Sequence, residues 1–424
     1  MELPLLLLAI LLLFLLRVPM AFAILGPCIV YMLVEGYTPH LGVRLVMQGI
    51  NSWPLLAVPL FILVGIVATR TEIADRLYDA ALLLLGPLRA GLAYVNIAVS
   101  LGFSWMSGAA LADAAGIGSI EVNHMRRKGY PAEFSVGLSA SSALISPIMP
   151  PSIPAVVYAS VAAVSTGAMF AAAVIPAFIM TAALVLTVFI WSRRRPDLVG
   201  DPYSWTAVRR AVVRAIPPMG APVIILGGIL GGFFTPTEAA GIGALYMILL
   251  ALSYRTLRGR DIAAMFRDTA VLTGQIMIII GASSLLSWIL AREQVPQAVA
   301  EALLTLTDNP LIFLLIVNVL LILLGMILEP TSALLIVTPI LLPVAVQYGI
   351  DPLHLGSIII FNLMIGLLTP PMGGVVFVMS SVTGIPLERV FKGAAFYRPA
   401  MFIVLLLITY IPALTLWLPE AIGL

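Results

Sequence analysis

Along most of the chain, apolar residues do not form one stripe per helix. They fill long runs that short polar stretches interrupt. In the first part the runs are Leu3–Leu16, Ala21–Val34, Leu55–Ala68, Gly91–Asn123, Ala132–Val164 and Ala168–Trp191. In the second they are Pro218–Phe233, Thr237–Ser253, Thr269–Leu290, Leu311–Val346, Pro352–Val382 and Ala400–Trp417. A helix that is apolar all round is buried or faces lipid, and about 20 such residues span the hydrocarbon. The runs longer than one crossing predict re-entrant hairpins or broken crossings. The expected fold is an all-α polytopic membrane protein.

Composition removes the alternatives. Of 424 residues 61% are hydrophobic and 10% charged, whereas soluble domains carry about 25% charged residues. The longest stretch able to lie in water, Arg193–Pro217, is too short to enclose a core. Nucleic-acid binding needs a basic face, and the net charge of +2 is scattered over loops. Cys28 is the single cysteine, so no intrachain disulfide forms. Inside its apolar run it reads as a small core residue. The opening Met-Glu-Leu-Pro-Leu lacks the basic n-region of a cleaved signal, and the first run is expected to be retained as a crossing.

Basic residues set the topology, because Lys and Arg accumulate in cytoplasmic loops. All except Arg44 and Arg292 fall into a few groups. These are Arg17; Arg70, Arg76 and Arg89; Arg126, Arg127 and Lys128; and Arg193, Arg194 and Arg195, followed by Arg209, Arg210 and Arg214; Arg255, Arg258, Arg260 and Arg267; and Arg389, Lys392 and Arg398. One threading, starting outside, puts every group on the same side. Residues 1–192 form a first repeat, with scaffold helices 3–68, an arm 70–89, a hairpin 91–123, a broken helix 132–164 and a return helix 168–191. A basic cytoplasmic connector covers 193–217. Residues 218–424 form a second repeat, with scaffold helices 218–290, an arm 292–309, a hairpin 311–346, a broken helix 352–382 and a final helix 400–417. The first hairpin begins and ends at basic loops and opens to the cytoplasm; the second opens outside. Each half then has five crossings and one hairpin, and an odd number inverts one half relative to the other. Both termini lie outside.

The halves also match residue by residue. Leu16-Arg17-Val18-Pro19 with Gly26 corresponds to Phe233-Phe234-Thr235-Pro236 with Gly243. Arg70-Thr71-Glu72-Ile73 corresponds to Arg292-Glu293-Gln294-Val295, Asn96 to Asn318, and Gly129-Tyr130-Pro131 to Gly349-Ile350-Asp351-Pro352. SPIMPPSIP at 146–154 corresponds to GLLTPPMGG at 366–374. Inverted repeats with interrupted helices characterise secondary transporters. Prolines at 147, 150, 151 and 154, and at 370 and 371, delete backbone donors and push the preceding residues out of the helix. Each backbone group left unpaired in hydrocarbon costs several kcal/mol, so irregular backbone survives only against protein or a polar cavity. Freed carbonyls suit a desolvated cation, and half-helix N-termini suit an anion.

The hairpins turn at FSWMSGAALAD (103–113) and GMILEPTSALL (325–335). Ser104, Ser107 and Gly108 allow close backbone approach. Asp113 lies just past the tip, where an acid costs about 2.5–3.5 kcal/mol on insertion scales. It is either a functional group or a capping or interhelix hydrogen-bonding one. Glu329, Thr331 and Ser332 hold the matching places in the second half. Glu238, beside Pro236, reads as structural. Each tip is expected to meet the broken helix of its own half, with a substrate pocket between the two.

At SGAALADAAG (107–116), GYPAEFSVGLSASSALISPIMPPSIP (129–154), GGFFTPTEAA (231–240), LEPTSALL (328–335) and GLLTPPMGG (366–374) the chain resembles the large membrane subunit of tripartite ATP-independent periplasmic (TRAP) transporters. The resemblance covers essentially the whole chain. It implies an elevator-type, sodium-coupled importer in a bacterial inner membrane, working with a separate small four-helix membrane subunit. A soluble periplasmic binding protein would deliver an organic acid anion, such as a C4-dicarboxylate or sialic acid. Two or more transported sodium ions and no organic cofactor are expected. Carried over by motif, one sodium site involves Ser104, Ser107, Ser146, Met149 and Pro150, and the other Gly325, Gly366, Thr369 and Met372, mainly through main-chain carbonyls. The substrate pocket draws on Gly108, Asp113, Ser152, Glu329, Thr331 and Ser332. Ser146 stands where the family commonly has Gly, and Ala109 where it commonly has Ser, which removes a hydroxyl near the pocket.

The chain contains no GxxxxGK[ST] string, consistent with ion-driven rather than ATP-driven transport. At about 100 mV each inward cation gains about 2.3 kcal/mol and each negative charge loses as much. Two sodium ions therefore neutralise a dianion, and net inward charge with a dicarboxylate requires a third cation. A one-component sodium–dicarboxylate or arsenite-type carrier is the competing transporter reading. An intramembrane protease is disfavoured: Trp105-Met106-Ser107-Gly108 lacks the first Gly of GxSG, Asp113 follows Leu111-Ala112 rather than a GxG run, and His124 sits at a basic membrane edge. No charge ring or repeated filter suggests a channel. The chain is not expected to be an enzyme.

Overall fold

The computed structural model describes residues 3–16, 18–198, 200, 204–257 and 259–424. Arg17 and Arg258, two of the basic loop residues, lie outside them. The described residues are helices and turns without a strand. Seven of the described helices are long and apolar enough to cross a membrane, and shorter apolar helices accompany them. Large hydrophobic side chains such as Leu11, Phe22, Ile190, Leu245 and Ile403 face outward along these helices, as a protein solvated by lipid requires. This is a multi-pass membrane protein.

The helices pack as two groups. One contains Leu3–Leu15, Met20–Val34, Pro39–Ile50, Ala57–Arg70, Ile73–Leu85, Trp205–Leu230, Pro236–Ser253 and Gly259–Arg292, packed chiefly on one another. The other holds both hairpins, both interrupted helices, Thr166–Ser192, Leu387–Tyr410 and Ala413–Ala421. Its core is one contiguous cluster that includes Phe134, Tyr158, Phe170, Phe313, Phe361 and Tyr397. Phe134 stacks on Trp191 at 3.6 Å between ring centroids, and Phe313 on Tyr348 at 4.4 Å. Backbones meet directly where Gly137 faces Gly393: a Cβ on Gly137 would lie 2.8 Å from Gly393 Cα. Ala57–Arg70, Ile73–Leu85 and Gly259–Arg292 are the main links between the groups.

Several boundaries differ from those read in the sequence. The helix expected to start at Pro218 starts at Trp205, inside the stretch read as a connector, and passes through Pro217, Pro218 and Pro222. Its first turns carry Arg209, Arg210 and Arg214, so the apolar run ends before the helix does. On the facing helix Tyr246 Oη donates to the Pro217 carbonyl at 2.7 Å, satisfying backbone at the proline pair. At the C-terminus the run read as one helix, 400–417, belongs to two. Leu387–Tyr410 ends before Ile411-Pro412, and Ala413–Ala421 follows. Proline disfavours the helical region for the residue before it. Pro39–Ile50, an amphipathic helix bearing His40, Arg44 and Gln48, was not expected from the apolar pattern. Cys28 is buried.

Candidate functional site

The first interrupted helix runs as Ala132–Ser142, tightens into a 3-10 turn at Ala143–Ile145, unwinds, and resumes at Ile153–Ala162. Proline supplies no N–H at 147, 150, 151 or 154, so the gap cannot close its own ladder. Ser152 holds it open. Its hydroxyl donates to the Pro147 carbonyl and caps the resumed helix by accepting from Ala155 N at 3.2 Å. Among the described residues, no backbone N–H pairs with the carbonyls of Ser146, Met149 or Pro150. Ser104 and Ser146 are completely buried. The Ser104 hydroxyl donates to Leu101 O at 2.6 Å, and the Ser146 hydroxyl has no partner.

The second interruption separates Pro352–Gly366 from Gly374–Thr383. Here Thr369 N donates to Gly366 O at 2.9 Å, and the Thr369 hydroxyl donates to Ile365 O at 2.9 Å. The Gly366 carbonyl therefore has one lone pair engaged. Met372 N donates to Met326 O at 3.3 Å, tying the gap to the tip of the second hairpin. Gly325 and Gly366 touch backbone to backbone: a Cβ on Gly325 would lie 3.3 Å from Gly366 Cα. The Pro150-Pro151 and Pro370-Pro371 bonds are both cis.

Each tip meets the interruption of its own half. The first hairpin descends as Gly91–Ser107 and turns at Gly108, whose φ of +63° is left-handed. A Cβ there would lie 2.7 Å from the Pro151 carbonyl oxygen, so only glycine fits. The ascending arm starts as Ala110–Asp113, loosens into a π-helical segment at Ala114–Gly118, and continues as Ser119–Arg127. Asp113 is 4% exposed, beside the Ser107 and Ser146 hydroxyls, yet neither carboxyl oxygen makes a hydrogen bond of standard geometry. It caps no helix. The second hairpin joins Pro310–Gly325 to Pro330–Gln347. Glu329 caps the latter: Oε2 accepts from Ser332 N at 3.0 Å and Oε1 from Thr331 Oγ1 at 3.0 Å. Glu238 likewise closes a capping box with Thr235.

Between the tips lies a cavity of about 360 Å³. Ser107, Gly108 and Ala109 line it from the first hairpin, Pro147 and Pro154 from the first gap, Glu329 and Thr331 from the second hairpin, and Met364 and Leu367 from the second interrupted helix. The remaining wall comes from the other helix group, with Thr69 and Gln275 as its polar members. Of the residues proposed for a substrate pocket, Gly108, Glu329 and Thr331 face the cavity. Asp113, Ser152 and Ser332 are buried behind its wall. Gln275 escaped the sequence reading, although a lone amide within the apolar run 269–290 was the available signal. Among the described residues no Lys or Arg lines the cavity, and Glu329 is its one ionisable side chain.

The comparisons agree with this architecture. Residues 6–414 match the family described as tripartite ATP-independent periplasmic transporter, DctM component. The sialic acid TRAP transporter large permease protein SiaM of Vibrio cholerae is 38% identical over 404 residues, covering 95% of each chain. The C4-dicarboxylate TRAP transporter large permease protein DctM of Pseudomonas aeruginosa is 38% identical over 378 residues, covering 88% of each. The crystal structure of the Alcanivorax borkumensis YdaH transporter shares the fold, with a TM-score of 0.59 at 14% identity over 89% of this chain and 88% of that one.

Proposed function

The chain belongs to the DctM component family of tripartite ATP-independent periplasmic transporters, and from that membership we propose that it carries an organic acid anion inward with sodium ions by an elevator movement. It is a large permease, a transporter component rather than an enzyme. The proposed cargo is a C4-dicarboxylate, sialic acid or a similar carboxylate. A periplasmic binding protein delivers it, and a small four-helix membrane subunit packs on the scaffold group in the bacterial inner membrane. Both chain termini then face the periplasm.

The observation that carries this reading is the charge of the cavity. An anion needs compensating charge in a water-poor site, but the described lining offers one carboxyl side chain and no Lys or Arg. Cations held by the unpaired carbonyls of Ser146, Met149, Pro150, Thr369 and Met372 supply it from both flanks. Ser104, Ser107, Gly325 and Gly366 lie on the adjoining hairpin and helix ends. Such cations enter with the cargo, which couples transport to sodium. Motion of the hairpin-bearing group against the scaffold then exposes the cavity to each side in turn.

Reconstitution with the small subunit and binding protein, assayed with a panel of labelled carboxylates, tests the reading. Uptake is expected only with a sodium gradient and only with the binding protein present. Uptake by the chain and small subunit alone would support a one-component carrier, and uptake indifferent to sodium would overturn the coupling.

A further inference from the structure

Behind the cavity, in the first hairpin, lies a polar cluster that the transport reading does not use. Glu121, on Ser119–Arg127, is 2% exposed. Its Oε2 accepts from Asn96 Nδ2, while Oε1 has no partner. Asn96 Nδ2 also donates to Ser139 Oγ at 2.6 Å, and Asn96 Oδ1 accepts from Ser142 Oγ at 2.8 Å. Ser100 Oγ in turn donates to Ser142 Oγ at 2.9 Å. Among the described residues no cationic side chain pairs with Glu121.

The second half has the counterpart of this network without the acid. Asn362 Nδ2 donates to Asn318 Oδ1 at 2.8 Å, and Asn318 Nδ2 donates to Thr409 Oγ1 at 3.0 Å. The stretch corresponding to Glu121, Leu341–Pro343, is apolar. The amide N–H groups of these asparagines therefore find acceptors without a carboxyl group, and Glu121 is an addition particular to the first half.

A carboxyl at this depth without a counter-ion must be neutralised. The surroundings choose the neutralising species. A metal ion needs a shell of oxygens around it, whereas Glu121 meets the Asn96 N–H and the Ser139 hydroxyl, and the Asn96 oxygen is already taken by Ser142. Polar neighbours of Glu121 reach toward the basic edge. Tyr78, on Ile73–Leu85, lies within electrostatic reach of Glu121, and its hydroxyl is 2.7 Å from His124 Nδ1. Glu121 and His124 are three residues apart on one helix face, and His124 adjoins the basic edge Arg126–Lys128. The other ionisable groups around the site are few. Asp113 belongs to the same hairpin, and Asp79 neighbours Tyr78. Tyr94 is the single titratable residue of Gly91–Ser107, and Gly374–Thr383 has none. Glu133, on Ala132–Ser142, is paired with Arg389 at 2.8 Å.

We propose that Glu121 is a proton-binding site inside the moving helix group, exchanging with the cytoplasmic side through Tyr78 and His124 and distinct from the sodium positions. Only its sidedness rests on the transport reading, and the test needs neither cargo nor sodium coupling. Infrared spectra of the purified full chain in nanodiscs are recorded across a pH series. The expected result is a protonated-carboxyl band that titrates with pH, moves down when the unmutated chain carries 13C-glutamate, and is lost in Glu121→Gln but kept in Glu329→Gln. Replacing potassium chloride by sodium chloride at constant pH leaves the band in place. Absence of the band at every pH, no response to the glutamate label, or survival in Glu121→Gln would overturn the proposal. So would loss of the band on adding sodium, which makes a metal ion the occupant. If Glu121→Gln fails to fold, the labelled unmutated chain and Glu329→Gln still decide: a label shift with the band kept supports the site.

Discussion

Gly108 concentrates the chemistry of the first tip in one backbone position. An L side chain in the left-handed region costs roughly 1–2 kcal/mol, and here a Cβ also meets the Pro151 carbonyl. Gly108→Ala is expected to lower the thermal midpoint and abolish sodium-dependent uptake. Gly102→Ala, one helix turn and a half earlier, has open space around its Cβ and is expected to leave both unchanged. The two capping acids separate in the same way. Glu238→Ala removes the N3 half of a capping box outside the cavity and is expected to lower the thermal midpoint slightly, with uptake retained. Glu329→Ala loses a similar cap but also alters the cavity wall, so it is expected to change apparent affinity for the cargo as well. Equal effects of the two substitutions on uptake would refute this distinction.

Helices are where the sequence was most and least readable. The hairpins and interruptions were legible because small residues and clustered prolines occur there together, between runs too long for one crossing. Prolines by themselves, single or paired, carried no such information. Pro217, Pro218, Pro222, Pro339 and Pro343 sit inside continuous helices, because what decides a break is whether a neighbour satisfies the backbone, and that neighbour is distant in sequence. Tyr246 is the example at Pro217. Tyr246→Phe is expected to destabilise the chain by about 1 kcal/mol, measured as a drop in thermal midpoint, without changing sodium dependence. Helix ends were misplaced wherever charge and helix did not stop together, as before Pro218. Pro39–Ile50 was missed because its amphipathic face breaks the apolar run. At the site, the tips and gaps were legible from residue type, while the contribution of Gln275 was not, since only the packing of Gly259–Arg292 across the cavity brings it there.

For the whole molecule, the distribution of basic residues makes a claim about sidedness that labelling checks directly. Cys28 is buried, so a cysteine introduced on the exposed Arg194 loop reports alone. Arg194→Cys is expected to react with an impermeant maleimide in inside-out vesicles and not in right-side-out ones; the reverse would turn the threading over. The cavity sets a further condition on the complete cycle. Among the described residues its lining has one acid and no base. On the sodium-coupled reading proposed above, that arrangement orders loading, ions before carboxylate, because cations at the two gaps supply the charge that the lining lacks. A carrier so arranged would hold its accumulated cargo when the gradient collapses, since the ion-free site lacks the charge that retains an anion.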